Sequence, residues 1–184
     1  MTNDSLPGAA HPAADRAAGL VIVEASSPEE VAMAGLLFRE YGESLGWDAS
    51  SGGWLTDEIA ALPGPYAPPR GSLMLAYVDG KPAGALGLQP VPEGARVPGV
   101  GAETGELKRM FVRPEFRRHG VGRALLVRSA DEARIRGYDS LVLTTSAEMM
   151  PLAQHLYESM AYTETVPYRD DMPYPHIRWM RLAL

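Results

Sequence analysis

The sequence predicts a mixed α/β (α+β) domain, and three observations carry that reading. Apolar runs and periodic stretches alternate as strand, two helices, three strands, helix, strand, helix and two strands. The segment 106–138 reads as strand, turn and helix, and another apolar run follows at 139–145. A strand–helix–strand of that length makes a parallel, right-handed crossover. Asp79-Gly80 between two apolar runs marks a hairpin, so antiparallel pairing joins the parallel pair in one sheet.

The elements follow in order. Residues 1–18, rich in Ala, Pro, Gly and Asp, read as a mobile tail before a single domain over 19–184. The run 20–24 is short and β-branched, a first strand. Ser27 is an N-cap, Pro28 suits the first helical position, and Glu30 completes a capping box. The first helix carries Val31, Ala34, Gly35, Phe38, Gly42 and Leu45 on one stripe and ends at Gly46. A second helix spans about 54–62 and stops at Pro63. Four prolines then stiffen the loop 63–71. Strands at 73–78 and 83–88 flank the hairpin turn. The stretch 89–105 breaks the pattern with prolines and glycines and reads as a lid or an insertion. A strand at 106–112 carries Leu107, Met110 and Val112 and ends before Pro114. The central helix places Gly122, Leu125, Leu126, Ser129, Ala130 and Ala133 on one face. Arg123, Arg128, Glu132, Arg134 and Arg136 are expected to face away, and Gly137 stops the helix. The last helix, 149–161, has Met149, Leu152, Ala153, Leu156 and Met160 as its apolar face. Strands at 162–166 and 177–184 flank an irregular aromatic loop, and the latter closes the sheet.

Composition bounds the function. The chain has 184 residues, no cysteine and a formal net charge of -6. Disulfides, thiolate metal sites and a cysteine nucleophile are excluded. The acidic balance argues against general affinity for nucleic acid. Against it stands a local basic cluster of Lys108, Arg109, Arg113, Arg117, Arg118 and Arg123, which suits a small anionic ligand. No apolar run is long enough to span a membrane and the first residues lack signal-peptide features, so a cytoplasmic location is expected. His11, His119, His155 and His176 are scattered without carboxylate spacing, and no metal site is expected.

The turn at 117–122 carries the chemistry. The first N–H groups of a helix lack partners within it. Gly120 and Gly122 let a ligand approach the backbone, while the helix dipole, Arg117, Arg118 and Arg123 add positive potential. This is a phosphate or pyrophosphate site, or a basic surface turn with ordinary capping glycines. No Gly-Lys-Ser/Thr follows, so it is not a Walker loop, and the first glycine of a dinucleotide fingerprint is missing.

Arg-x-x-Gly-x-Gly at 117–122, after ELKRMFVRPEFR and before LYESMAY at 156–162, resembles the acetyl-CoA signature of the GNAT superfamily of N-acetyltransferases. The resemblance covers roughly residues 20–184. It implies a mostly antiparallel sheet of about seven strands with a central parallel pair that splays apart, flanked by about four helices. It implies acetyl-CoA as co-substrate, no metal, and a small amine or a protein amine as acceptor. Residue by residue, Arg117, Arg118, His119, Gly120, Val121, Gly122 and Arg123 would hold the pyrophosphate, and the main chain of Met110, Phe111 and Val112 would pair with pantetheine. Tyr157 sits at the tyrosine of the family's Leu-Tyr motif and would assist the leaving thiolate. Glu106 is a candidate base; it also reads as a strand glutamate paired with Lys108. Tyr66 and Arg70 border the expected acceptor cleft, where Tyr66 either contacts substrate or packs under the proline loop. The family's usual Gly-Phe after the tyrosine helix is Ala161-Tyr162 here.

The implied activity is acetyl transfer from acetyl-CoA to a primary amine by direct attack. Two other readings share the motif: a non-catalytic acyl-CoA sensor, and an unrelated phosphate-binding protein. The C-terminal strand and the aromatic loop 168–174 offer an edge for a homodimer.

Overall fold

The computed structural model describes residues 19–47, 53–91, 103–169 and 176–184. Seven strands form one sheet: β1 (Leu20–Glu24), β2 (Ser72–Val78), β3 (Lys81–Pro90), β4 (Thr104–Val112), β5 (Ser140–Ser146), β6 (Thr163–Glu164) and β7 (Ile177–Ala183). Their order across the sheet is β1-β2-β3-β4-β5-β7-β6. Only β4 and β5 pair in parallel; every other neighbouring pair is antiparallel. Four helices flank the sheet: α1 (Pro28–Ser44), α2 (Trp54–Ala60), α3 (Val121–Ile135) and α4 (Pro151–Ser159). None of the described helices is long and apolar enough to cross a membrane.

Local chemistry explains these elements. Ser27 accepts from the Glu30 N–H at 3.2 Å while the Glu30 carboxylate accepts from the Ser27 N–H at 3.0 Å, so the capping box starts α1 as expected. Asp79 and Gly80 both have positive φ, the mark of a type I′ turn between β2 and β3. Pro151 occupies the first turn of α4, so that helix starts two residues later than its periodicity suggests.

Two cores lie on opposite faces of the sheet. One joins Leu86, Leu88, Leu107, Leu125, Leu126, Leu141, Leu143, Tyr157 and Tyr162, under α3 and α4. The other joins Leu37, Phe38, Tyr66, Leu73, Leu75 and Phe111, under α1 and α2. Tyr66 lies so close over Gly87 that a Cβ there would stand 2.5 Å from its ring. That position must be glycine for the strand and the ring to coexist.

Several expectations change on folding. Glu132 and Arg136 do not face solvent: Glu132 is 5% exposed and binds Arg128 and Arg136, and Arg136 also reaches Glu24. Helical periodicity treats a charge as an outward position, and a mutually paired cluster defeats that assumption. Met149 and Leu152 are exposed, and α4 presents Ala153, Leu156, Tyr157 and Met160 to the core instead. The strand at 162–166 shortens to β6 because only Thr163 and Glu164 stay in ladder register with β7; the Thr165 N–H adds one bond to Trp179 O at 2.8 Å. The C-terminal strand does not close the sheet or offer an edge; β7 lies between β5 and β6, and β6 is the edge. The tail 1–18 and most of the 89–105 stretch lie outside the described residues.

Candidate active site

The site begins where β4 and β5 part. They pair at Thr104 with Ser140, Gly105 with Leu141 and Glu106 with Val142, and no further. β4 runs on to Val112 and β5 to Ser146, so residues 107–112 of β4 have no strand partner on that side among the described residues. A wedge opens there, with backbone N–H and C=O groups along one wall. An extended ligand arm can pair with that wall as an added strand would.

A bulge sets what each face of β4 shows. Ala85 pairs with Phe111 and Gly87 with Lys108, leaving an extra residue on β4. Arg109 takes the left-handed conformation at φ 56. Simple alternation would put Leu107 opposite Met110 and Val112. The bulge shifts the period by one, so all three pack into the α3/α4 core. Glu106, Lys108, Arg109 and Phe111 turn to the α1/α2 face. The expected apolar trio of β4 is therefore one face after all, for a reason the sequence pattern does not contain.

The turn after β4 closes the mouth of the wedge. Arg117 to Gly120 are exposed, and Arg118 and Gly120 both have positive φ. Gly120 is the N-cap of α3 at φ 76, and no side chain caps that end. The Ala124 N–H is the first to bond back within the helix, to Gly120 O at 2.9 Å. The N–H groups of Val121, Gly122 and Arg123 therefore point toward the mouth with the positive end of the helix dipole. A Cβ on Gly122 would lie 3.0 Å from Leu156, 3.6 Å from Met110 and 3.8 Å from Val112. The first turn of α3 thus sits directly on β4 and α4.

The six-residue basic cluster read from sequence is split by the fold. Lys108 meets Glu106, Arg109 meets Glu58, and Arg113 meets Glu40 and the Pro82 carbonyl. Strand geometry turns these three cations away from the turn. Arg117, Arg118 and Arg123 remain around Gly120 with no ion pair among the described residues; Arg117 Nε donates to Val112 O at 3.0 Å and braces the turn.

Tyr157 crosses toward the β4 wall. It is buried, stacks edge-on with Tyr162 at 5.7 Å, and its hydroxyl donates to Met110 Sδ at 3.8 Å. Burial raises the phenol well above its ordinary value, with Tyr41 adding to it, so the hydroxyl stays protonated. A thioether is a weak acceptor. The hydroxyl is already aimed at sulfur and has little to lose by changing partner.

Glu106 is fully buried at the last paired position of β4. Its carboxylate accepts from Gln89 Nε2 at 2.9 Å, Tyr168 Oη at 3.0 Å, Arg169 Nη1 at 3.2 Å and Lys108 Nζ at 3.4 Å. Tyr168 thus faces inward and stacks on Trp179 at 4.7 Å rather than forming an outer surface. The rest of the aromatic loop, 170–175, lies outside the described residues.

Sequence reasoning did not find the charged clamp beside this network. Glu58 of α2 accepts three contacts from Arg109, at 2.6, 3.1 and 3.2 Å, and Arg109 stacks on Trp54 at 4.5 Å. Glu58 also accepts from the Tyr66 hydroxyl at 2.5 Å. Tyr66 is 1% exposed, and its phenol is pushed up by burial and by Glu58. Arg70 lies at the other end of β4, paired with Glu103 and lying over the Tyr138 ring. The fold does not bring Arg70 to the wedge. His155 and His119 are exposed, and no group of metal-ligating side chains forms among the described residues.

A mixed sheet that splays at its one parallel pair among the described residues, with an uncapped helix end at the mouth, is the architecture that the resemblance to the GNAT superfamily implies. The comparisons agree. The acetyltransferase (GNAT) family model matches residues 38–162. An uncharacterised N-acetyltransferase of Schizosaccharomyces pombe is 31% identical over 150 residues, 81% of this chain and 85% of that protein. An acetyltransferase structure from Streptococcus agalactiae superposes with a TM-score of 0.66 at 22% identity, covering 90% of this chain and 99% of that one. A Salmonella typhimurium structure with its cofactor acetyl-CoA does so at 0.60 and 19% identity, covering 90% and 94%. The chain belongs to the GNAT acetyltransferase family.

Proposed function

We propose that this protein transfers an acetyl group from acetyl-CoA to a primary amine by direct attack, the amine being a small molecule or a protein amine. The half-paired β4–β5 wedge under the uncapped end of α3 carries the reading. Pyrophosphate oxygens would meet the N–H groups of Val121, Gly122 and Arg123, with Arg117, Arg118, His119 and Gly120 around them. The pantetheine arm would lie along Met110, Phe111 and Val112. That the Salmonella neighbour holds acetyl-CoA on the same fold supports this assignment.

The residues supply the rest of the chemistry. A backbone N–H of the unpaired β4 segment would meet the developing oxyanion. Tyr157, held protonated by burial, donates to the departing CoA sulfur where it now touches Met110 Sδ. Glu106 anchors the base end of the site, from which the amine's proton must be drawn before attack. The amine enters on the α1/α2 side of β4, beside Lys108, Arg109 and Glu58.

Acetyl-CoA should raise the melting temperature. At a concentration of 100 times Kd, linkage adds about 2.7 kcal/mol of stability. No thermal shift at millimolar acetyl-CoA overturns the reading. Tyr157→Phe should keep the fold and acetyl-CoA affinity and lower turnover by roughly tenfold or more, since only a donor to the transition state is removed. Wild-type turnover in that variant would leave Tyr157 a packing residue.

A further inference from the structure

The chain contains fifteen arginines and only two lysines, Lys81 and Lys108. Lys81 is exposed at the start of β3. Lys108 is not: its side chain is 12% exposed, on the α1/α2 face of β4, two residues past the last parallel pair. In a chain that otherwise answers nearly every need for a cation with arginine, one lysine stands buried where the wedge opens. The chemical difference between the two is that a guanidinium cannot be deprotonated in a protein and an ammonium can.

We propose, building on the acetyltransfer reading above, that Lys108 is the group that takes the proton from the acceptor amine, with Glu106 holding it in place. The four donors on Glu106 occupy its acceptor positions, so an incoming ammonium has no open lobe there. Lys108 Nζ, 3.4 Å from Glu106 Oε1, is the cation of that network whose proton can leave and return, since the Arg169 guanidinium keeps its own. In the step, R–NH3+ gives a proton to neutral Nζ, yielding R–NH2 and the Lys108 ammonium beside Glu106. The amine forms the C–N bond, the C–S bond breaks, and the second nitrogen proton ends on the CoA sulfur through the Tyr157 hydroxyl. Lys108 then returns its proton to solvent.

The surroundings suit this exchange. Burial lowers the lysine below its ordinary value; Glu106 opposes that, and Arg109 and Arg169 reinforce it. Among the described residues, the other groups around it are Tyr168 and Gln89, which bind Glu106, and Glu58 and Tyr66, which hold Arg109.

The test uses the intact protein labelled with 13Cε-lysine, which gives two side-chain signals; Lys81→Arg assigns them. Lys108 should titrate below Lys81, and lower still in Glu106→Gln, where the carboxylate that favours the ammonium is gone. Titration of Lys108 with or above Lys81 overturns the proposal. Activity is read in parallel with acetyl-CoA and methylamine as acceptor, and the absence of cysteine leaves released CoA the only thiol. Lys108→Arg and Lys108→Met should bind acetyl-CoA as the wild type does and lose the acidic limb of the pH profile, with rates down by roughly 100-fold. Wild-type rate and profile in Lys108→Arg, with Glu106→Gln inactive, would assign the proton to Glu106 itself. Failure of the acetyl-CoA reading is separate: it would show as no thermal shift, whatever Lys108 does.

Discussion

Both ends of α3 carry a left-handed glycine and a set of arginines, yet they are built for different work. At the C-terminal end Gly137 has φ 79, and Arg128, Arg134 and Arg136 are all paired, with Glu132, Asp131 and Glu24. At the N-terminal end Gly120 has φ 76, and Arg118 and Arg123 have no acidic partner among the described residues. Residue type and backbone angle match; the carboxylates differ. An arginine supplied with a carboxylate by its own chain is held by the fold, and one left without it beside an uncapped helix end suits the anion site proposed above.

The largest effect should come from breaking the satisfied end. Glu132→Ala leaves Arg128 and the buried Arg136 without their shared carboxylate, which should cost about 3 kcal/mol in chemical denaturation, in line with other broken buried pairs. Acetyl-CoA affinity should be unchanged in the folded fraction. Loss of affinity there would mean the two ends are coupled through the helix.

Valine at either glycine comes next. Gly120→Val and Gly137→Val each force a side chain into the left-handed region and should each cost about 1–2 kcal/mol of stability. Only Gly120→Val should also weaken acetyl-CoA in calorimetry, through a Cβ where the pyrophosphate approaches. Equal affinities in the two variants would put the anion elsewhere. Arg118→Ala combined with Arg123→Ala should leave stability within about 0.5 kcal/mol, as exposed sites do. The same pair should raise the acetyl-CoA Kd about tenfold, roughly 1.4 kcal/mol.

The smallest effect is a pH dependence confined to one end. Burial alone would raise the Glu132 carboxyl, but its bonds and charge interactions with Arg136, then Arg128, outweigh this and hold it below its ordinary value. A carboxyl depressed in the folded state adds stability that is complete above its unfolded value, about 4.3, and is lost as pH falls through the folded one. Denaturation midpoints should therefore fall more steeply in acid for the wild type than for Glu132→Gln.

The contrast also marks what a sequence can show. The strand–turn–helix of residues 106–135 was legible because its signals are local: Pro114, the glycines and the periodicity of Leu125, Leu126 and Ala133. The expected open wedge is present, but it came from resemblance; nothing in the apolar pattern of β4 or β5 says that pairing stops at Glu106 and Val142. The bulge at Arg109 was illegible because it depends on register with β3, a contact from a separate part of the chain. Arg109 and Lys108 therefore read as part of a basic patch, although Glu58 and Glu106 claim them. Glu132 was misread for the converse reason, since its partners lie on the same helix but its burial comes from the sheet below.

The position of β7 has a consequence for synthesis. β7 follows both of its partners in the chain, yet it is an inner strand, hydrogen-bonded along the whole of β5 on one side and to β6 on the other. Until Ile177 and the residues after it emerge, β5 shows an open edge flanked by Leu141 and Leu143, the kind of surface that recruits other strands. A nascent chain can complete β1 to β4 and α3 early, but the half of the sheet carrying α4 and Tyr157 must stay unzipped until β7 has emerged. A chain halted before β7 would therefore expose a sticky edge along β5.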